Sequence, residues 1–307
     1  MTSTLKKEKM SKNAKEELQA EENAEIQAMR ARLKAKRLRT ARELAARLQV
    51  QPDGTRVFIR FDSGERLQHQ ILIGSFTALG LTGLLQSFSR FELVGWFINT
   101  LLGGIETLRV IHHLTAMIFA FQAIYHMVGI IHLWFIRRET GSMWPRWDDL
   151  KGLMGMFKFN LNLSPERPQF DRFSIEEKVE YWALLWGTAI MGLTGIFQWF
   201  PMQVTSILPG IAIPIARTIH AWEALLAVLS ILTWHLYHTV VKEKNQSIFT
   251  GVMSEEEMQE AHALEYRRIL AAVEFIRKAE TQESQVEIVK PGRSETPHEM
   301  AELGTTD

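Results

Sequence analysis

The sequence predicts an all-α membrane protein whose core is a bundle of four membrane-spanning helices. Charge is segregated along the chain, and the apolar stretches carry histidines at helical spacing. The 307 residues include 35 Lys and Arg and 35 Asp and Glu, so the formal net charge is zero. These charges crowd into residues 1–66 and 242–307. The mean hydropathy of the whole chain, which is close to zero, therefore conceals a central region that is suited to lipid.

Four apolar stretches form the predicted spans. At ~1.5 Å per residue, each stretch is long enough to cross a hydrocarbon core of about 30 Å. Trp and Tyr lie near their ends, as is typical of the membrane–water interface. This pattern favours membrane spans over the buried core helices of a soluble protein. The stretches are residues 70–88, 110–136, 181–200 and 218–241.

The chain divides into three predicted regions. Residues 1–66 form a charged N-terminal extension, with an exposed helix over roughly the first 48 residues and a short hairpin within 50–61. Residues 67–241 contain the four spans, and the loop 137–180 carries an amphipathic helix on the membrane surface. Residues 242–307 form a C-terminal helix and a polar, disordered tail.

The cationic residues orient these spans. The loop 137–180 holds eight Lys or Arg residues, whereas the loop 201–217 holds only Arg217. Positive charge marks the cytoplasmic side, so the middle loop and both termini are predicted to be cytoplasmic. No cleavable signal peptide is evident. We expect a multi-pass protein of the bacterial inner membrane, surrounded by membrane lipid and without a nucleic-acid partner.

The absence of cysteine excludes several kinds of redox centre. Disulfides, thiolate-bound iron–sulfur clusters and covalently attached c-type haem all require cysteine. A redox cofactor in this chain must therefore use other ligands. An iron–sulfur or c-type haem partner must be a separate chain.

An internal repeat relates the spans as two helix pairs. "LGLTGLLQ" at 79–86 is similar to "MGLTGIFQ" at 191–198, an offset of 112 residues. "RVIH" at 109–112 is similar to "RTIH" at 217–220, an offset of 108 residues. The two pairs therefore run in the same direction. Glycines in the GLTG motifs leave room for close helix packing or for a flat ligand.

The histidines of the second and fourth spans lie at two matched depths. Histidine is costly in hydrocarbon and usually faces a partner inside the bundle. His112 and His126 are fourteen residues apart and share a helix face, ~21 Å apart along the axis. His220 and His235, fifteen apart, are arranged similarly. Two histidines at one depth on facing helices supply the axial ligands of a haem iron, so His112 with His220 and His126 with His235 predict two b-type haems.

The inner level has a third candidate ligand. His69 lies at the inner end of the first span, level with His126 and His235. Within the repeat, Tyr181 occupies the position that matches His69, whereas His126 falls within one residue of the position that matches His235. Symmetry therefore favours His126 as the inner ligand.

Two arginines are candidates for binding haem propionates. Arg109 and Arg217 each precede an outer histidine by three residues, where the helix meets water. Propionates at the membrane edge need a cation of this kind. Ordinary interfacial arginines, with the charged group reaching toward water, are the alternative.

With these motifs the chain resembles the cytochrome b subunits of formate dehydrogenases, NiFe hydrogenases and multihaem cytochrome c systems of anaerobic bacteria. The resemblance covers about residues 56–268. The matching pieces are "RLQH" (66–69), "RVIHHLTA" (109–116), "IYH" (124–126), "EKVEYWALLWGTAIMGLTG" (177–195), "IHAWEALLA" (219–227) and "WHLYH" (234–238).

The resemblance implies a function and also bears on which histidine is the second ligand of the inner haem. It implies a dihaem subunit that passes electrons between menaquinone or ubiquinone and an iron–sulfur, molybdenum-enzyme or multihaem c-type partner. The formate dehydrogenase type implies His69 as an inner ligand, whereas the bc-complex type implies His126. The family also implies a quinone site near the inner haem, for which Gln68, His69 and Gln70 are candidates by position. The alternative is a haem-free membrane anchor or transporter that uses the histidines for metal binding or proton relay.

Overall fold

The structure, a computed structural model, describes residues 2–136, 142–166 and 168–289, with side chains described from residue 21 to residue 282 within these ranges. Arg137, Arg138 and Arg167, three of the cations behind the predicted orientation, lie outside the described residues, as does the end of the predicted tail. The chain forms two compact units: residues 1–47 with 267–307, and residues 48–266.

The described elements follow one another along the chain as mostly helical segments with three short strands. They are α1 (Thr2–Ala45), β1 (Leu48–Val50), β2 (Arg56–Ile59), α2 (Ser63–Ser87), α3 (Glu92–Leu101), α4 (Ile105–Ile131), α5 (Trp147–Asn160), α6 (Ile175–Trp199), α7 (Pro201–Thr205), α8 (Ala212–Ser230), α9 (Ser247–Thr250), β3 (Val252–Ser254), α10 (Glu255–Ala261) and α11 (Ala263–Val289). Two helices continue as π-helix: α4 over His132–Ile136, and α8 over Ile231–His235 and Tyr237–Lys242.

Helix α1 belongs to the first unit and confirms the predicted N-terminal helix. Its described side chains from residue 21 onward are mostly exposed. The charge-rich sequence explains this exposure, because such a helix has too little apolar surface to bury.

In the second unit, each of the four predicted apolar stretches coincides, to within one residue at its end, with one of the helices α2, α4, α6 and α8, when the π-helical continuations of α4 and α8 are included. Helices α2 and α6 begin earlier than the apolar stretches, because each starts with a capping box. The Asp62 side chain accepts from the Glu65 backbone N–H at the start of α2, and Ser174 does the same for Glu177 at the start of α6. These polar caps lie just outside the predicted spans.

The polarity of this helical region is the reverse of that in a soluble protein. The buried side chains of α2 are Ser75 and Thr82, and those of α6 are Lys178 and Thr194. Large apolar side chains point outward, and Phe121 is 75% exposed. Such an apolar exterior fits a lipid environment.

Within the described part of the chain, two helices are long and apolar enough to cross a membrane. They are Ile105–Ile136 and Ala212–Lys242, and both are largely uncovered by the rest of the protein. The chain is thus a helical protein with membrane-span candidates. The total of four spans stays a prediction.

The helices pack so that the two halves of the repeat meet. Helix α2 packs against both α4 and α8, and α6 packs against α8. A Cβ added to Gly80 of α2 would lie 3.1 Å from a methyl group of Val228 on α8. Glycine therefore permits the close approach of these two helices.

A small antiparallel sheet lies beside the bundle in the second unit. Strands β1 and β2 form the predicted hairpin, in which Leu48 pairs with Phe58. Strand β3 joins the other edge of β2, where Phe58 pairs with Met253. The sequence alone did not predict β3, because three residues carry too little alternating pattern to indicate a strand.

Helix α5 confirms the helix predicted in the middle loop. Leu150, Met154 and Phe157 are exposed along this helix, which fits its predicted position on a membrane surface. The Nζ of the buried Lys178 lies 2.7 Å from Oδ1 of Asp149, which joins α5 to the start of α6.

Five charged side chains form a cluster between the sheet and the starts of α2, α6 and α11, and we call them the charge cluster. The Arg60 guanidinium lies 3.0 Å from the Glu177 carboxylate and 3.3 Å from that of Glu265. Arg172 donates to Glu65 at 3.2 Å and to the backbone oxygen of Arg60 at 3.3 Å. The Arg60 and Glu265 side chains are 1% and 2% exposed, so this ion pair is buried.

Candidate functional site

His112 of α4 and His220 of α8 face each other, and we call them the outer pair. Their ring centroids are 6.4 Å apart, with the ring planes inclined by 68°. A metal–imidazole nitrogen bond of about 2.0 Å, with about 1.1 Å from that nitrogen to the ring centre, places the ring centroids of two opposed imidazoles about 6.2 Å apart across a metal. The outer pair thus has the separation that one haem iron requires of two axial histidines.

Threonines of the GLTG motifs fix the protonation of the outer pair. The Thr82 hydroxyl lies 2.6 Å from the Ala78 carbonyl oxygen and 2.8 Å from Nδ1 of His112. A hydroxyl has one proton, and it is donated to the carbonyl, so Thr82 accepts from a protonated Nδ1. His112 therefore has an unprotonated Nε2, which is the form that binds a metal.

The second copy of the repeat has the same arrangement. The Thr194 hydroxyl donates to the Ile190 carbonyl at 2.7 Å and accepts from Nδ1 of His220 at 2.9 Å. A Cβ added to Gly83 would lie 3.4 Å from Cε1 of His112, and one added to Gly195 would lie 3.4 Å from Cε1 of His220. The GLTG repeat therefore supports two equivalent imidazoles.

At the other end of the bundle, His69 of α2 faces His235 in the π-helical continuation of α8, and we call these the inner pair. Their ring centroids are 6.3 Å apart, which again matches two imidazoles across one metal. The His235 Nδ1 lies 2.7 Å from Oε2 of Glu180. Because a carboxylate accepts, Nδ1 carries the proton and Nε2 of His235 is available.

The inner pair has two further features of a ligand site. The buried Nδ1 of His69 has no hydrogen-bond partner among the described residues, as expected of an imidazole whose main partner is a bound group. His235 also lies in a π-helical segment, and such segments are frequent at functional sites. These histidines fit a second haem.

His126 has a different environment from the four paired histidines. Its Nδ1 lies 3.1 Å from Oε1 of Gln68, and its Nε2 lies 3.0 Å from the Tyr181 hydroxyl. An amide oxygen only accepts, so Nδ1–H donates to Gln68 and Nε2 accepts from Tyr181. Both ring nitrogens are thus engaged, and the structure does not bring His126 opposite His235. The symmetry-based preference for His126 stays a prediction that this geometry does not support.

The repeat relationship explains this difference at the inner end. Gln68 and Glu180 are 112 residues apart, as are His69 and Tyr181. In one copy Glu180 holds His235 opposite His69, and in the other Gln68 holds His126 opposite Tyr181. The phenol in the second arrangement takes the place of one imidazole. Only one of the two equivalent positions at this end therefore pairs two histidines.

The remaining histidines of the spans have other contacts. His113 stacks on Trp199 with ring centroids 4.2 Å apart and planes within 12°. His238 is partly exposed, and its Nδ1 lies 3.1 Å from its own helix's Trp234 carbonyl oxygen. His132 is exposed at the start of the π-helical end of α4.

The candidate propionate ligands lie at the surface. Arg109 is exposed and pairs with Glu106 at 2.6 Å, and Arg217 is exposed. Arg66, which also precedes a histidine by three residues, donates to the Thr250 carbonyl oxygen at 3.2 Å. The predicted role of Arg109 and Arg217 stays a prediction.

Sequence reasoning missed four side chains that support the histidines. Thr82 and Thr194 could have been found, because the repeated GLTG motif already marked both positions. The repeat also marked Tyr181 as the counterpart of His69, but it did not indicate a contact with His126. Glu180 lies at a span boundary and gave no comparable signal.

A helical membrane bundle with facing histidines at two levels defines the class of membrane cytochromes b. The model of the prokaryotic cytochrome b561 family matches residues 60–251, more than half of the chain. The chain therefore belongs to the prokaryotic cytochrome b561 family, membrane cytochromes b that are associated with NiFe hydrogenase and other oxidoreductase complexes. A search of curated proteins found no significant match.

Membership of this family fixes the general function. The chain is a prokaryotic membrane cytochrome b, a subunit that transfers electrons by means of haem b and works with redox partners. The matched region includes both histidine pairs and the GLTG repeat. The family resemblance in the sequence is confirmed.

Proposed function

We propose that this chain is a dihaem subunit that carries electrons across the inner membrane between the quinone pool and a partner redox subunit. His112 and His220 would hold the outer haem, and His69 and His235 the inner one. The observation that carries this proposal is the matched separation of the two pairs, 6.4 and 6.3 Å between ring centroids. The bound haem supplies one-electron redox chemistry at each level.

The protein's own contribution to this chemistry is to fix its imidazoles. Hydrogen bonds to Thr82, Thr194 and Glu180 hold three of the four rings and keep the proton on Nδ1. A histidine that is already oriented would not have to reorganise when the charge of a bound metal changes. The apolar exterior keeps water away from the interior of the bundle.

The hydrogen-bonded chain from Gln68 through His126 to Tyr181 supports a quinone site beside the inner haem. Quinol oxidation releases two protons with two electrons, so a site of this kind needs groups that exchange protons. His126 can accept a proton at Nε2 and release one from Nδ1, because both nitrogens already lie in hydrogen bonds. Gln68 is adjacent in sequence to His69 of the inner pair. The hydrogen-bonded side chains of Gln68, His126 and Tyr181 are therefore close to the proposed inner haem.

Iron–sulfur, molybdenum-enzyme and multihaem c-type subunits are the proposed partners, since this chain has no cysteine for such centres. The partner passes electrons to or from the outer pair, and menaquinone or ubiquinone reacts at the inner pair. Electron transfer between the outer and inner levels, which are ~21 Å apart along the helix axis, needs a haem at both histidine pairs.

A haem count of the purified full-length protein tests the proposal. We expect about two b-type haems per chain in a pyridine haemochrome assay, with low-spin absorption spectra because two histidines would bind each iron. His220→Ala should remove one haem, whereas His238→Ala, at a partly exposed histidine in the π-helical continuation of α8, should keep both. Fewer than about one haem per chain in well-folded protein would contradict the dihaem proposal, and no haem absorption at all would support a haem-free anchor or transporter.

A further inference from the structure

The two histidine pairs differ in the charge of the groups that hold them. In the outer pair, each Nδ1 donates to a threonine hydroxyl, Thr82 for His112 and Thr194 for His220. In the inner pair, Nδ1 of His235 donates to the carboxylate of Glu180 at 2.7 Å. The outer acceptors are neutral, whereas the inner acceptor is an acidic side chain.

No neighbouring cation on α6 competes with His235 for Glu180. Lys178, two residues earlier, is directed to Asp149, with Nζ 2.7 Å from Oδ1. Glu177 pairs with Arg60 at 3.0 Å. Among the described residues, the Glu180 carboxylate pairs with His235, and both side chains are partly buried, at 26% and 29% exposed.

A carboxylate on the distal nitrogen makes an imidazole a stronger electron donor to its metal, since it draws the Nδ1 proton toward itself. Its negative charge also favours the oxidised haem iron, which carries one more positive charge than the reduced iron. Both effects lower a reduction potential. A threonine hydroxyl whose proton is donated to a backbone carbonyl produces neither effect to the same degree.

We propose that Glu180 is a positioning residue that lowers the reduction potential of the inner haem and so separates it from that of the outer haem. The inference rests on the proposed function, in that His69 and His235 bind a haem. The redox step is the uptake of one electron by ferric iron to give ferrous iron, with no bond formed or broken in the protein. A lower potential at the inner haem would favour electron transfer from the inner to the outer haem.

The internal repeat provides a neutral equivalent of Glu180. Gln68 occupies the matching position in the first copy and accepts from Nδ1 of His126 at 3.1 Å. A glutamine at this position therefore holds an imidazole with similar geometry. Glu180→Gln should remove the negative charge while keeping the hydrogen bond to His235.

Potentiometric titration of the purified full-length holoprotein tests the inference. Each haem should give one redox transition in this titration, which we call its wave. The wave that is lost in His235→Ala identifies the inner haem. In Glu180→Gln we expect that wave to move to higher potential while the outer wave stays in place, and in Glu180→Asp we expect it to stay near its original position. A variant Glu180→Gln that retains two haems and an unshifted inner wave would overturn the inference. Absence of two haems in the unmodified protein would instead contradict the proposed function.

The reverse substitution at the outer pair gives an independent test. Thr194→Asp places a carboxylate beside Nδ1 of His220, so the outer wave should move to lower potential, whereas Thr194→Ser should leave it nearly unchanged. An outer wave that does not fall in Thr194→Asp contradicts the inference. Loss of the inner haem in Glu180→Gln together with loss of the outer haem in Thr194→Asp would also overturn it, because these acceptors would then serve only to hold the ligands.

Discussion

At the scale of single residues, protonation decides which histidines can bind a metal. His112, His220 and His235 each donate Nδ1–H to a protein acceptor, which leaves Nε2 without a proton. His126 also donates from Nδ1, but its Nε2 accepts from Tyr181. Spacing along a helix cannot distinguish these cases, because it specifies the face of a residue and not the partner of each nitrogen.

The choice between His69 and His126 can be tested directly. We expect His69→Ala to lose about one haem per chain, because His235 would be left without an opposing imidazole. His126→Ala should keep both haems and lower quinone turnover, because its nitrogens contact Gln68 and Tyr181. Haem content and redox titration of the two variants measure this. Loss of a haem in His126→Ala, with both haems retained in His69→Ala, would restore the assignment that sequence symmetry favours.

His262, outside the spans, should make the stability of the protein depend on pH. Burial, assisted by the charge of Arg60, lowers the pKa of His262 below its ordinary value of 6.5. Its Nδ1 lies 2.8 Å from the Asp171 carbonyl oxygen, so the neutral ring donates there. As the pH falls through about 6.5, the unfolded chain binds a proton that the folded protein excludes, and stability decreases by up to about 1.4 kcal/mol per pH unit.

The thermal unfolding midpoint of the full-length protein between pH 7.5 and pH 5.5 measures this effect. We expect His262→Asn, whose amide can still donate to Asp171, to show a weaker decrease on the acid side than the unmodified protein. Equal decreases in both proteins would mean that other groups cause the acid sensitivity.

At the scale of elements, ion pairs fix the polar ends of helices that are otherwise apolar. The charge cluster joins strand β2 to the starts of α2, α6 and α11, and Lys178 joins α6 to α5. A charged side chain that is buried without a partner of opposite charge is strongly destabilising, so the buried charges in this region occur as pairs. These contacts hold the segment after the last span against the start of the first.

Removing one partner of the buried ion pair should be costly. Arg60→Ala removes the guanidinium that lies against the Glu177 carboxylate and the buried Glu265 carboxylate, so we expect a loss of about 3–5 kcal/mol in the free energy of unfolding. The matched control is Arg56→Ala, at the start of strand β2, which ends directly before Arg60. Arg56 is 51% exposed and lies 3.5 Å from Glu255, so its loss should cost less than about 1 kcal/mol.

Thermal unfolding of the purified variants, followed by the circular dichroism of their helices, compares the two substitutions. The Arg60 variant should also become more sensitive to proteolysis after Gly251, where β3 begins. Similar midpoints for the two arginine variants would show that the buried pair contributes little to the stability of the fold.

At the scale of the whole molecule, the apolar exterior and polar interior of the second unit belong to a membrane protein. The orientation in the membrane remains a prediction from the cationic middle loop. A reporter fused after Lys151 should be active in the cytoplasm, and one fused after Gln203 should be active outside. The opposite result would reverse the inner and outer levels assigned to the two histidine pairs.

The sequence predicted much of this protein without its fold. Apolar stretches located the helices α2, α4, α6 and α8, the Pro-Asp-Gly turn predicted the β1–β2 hairpin, and the repeat identified equivalent positions in the two halves. His112 and His220 were paired correctly as facing side chains, since their ring centroids are 6.4 Å apart. These features follow from local periodicity, which each segment carries by itself.

Tertiary structure alone decided the pairing at the inner end. Periodicity places His69, His126 and His235 at one depth, but it does not specify which helices are neighbours around the bundle. Packing of α2 against α8 brings His69 opposite His235, and Tyr181 of α6 meets His126 of α4. The contacts of Glu180 and strand β3 likewise join residues far apart in the chain. Such contacts depend on how the helices are arranged in space, and that arrangement determines which imidazoles can share a metal.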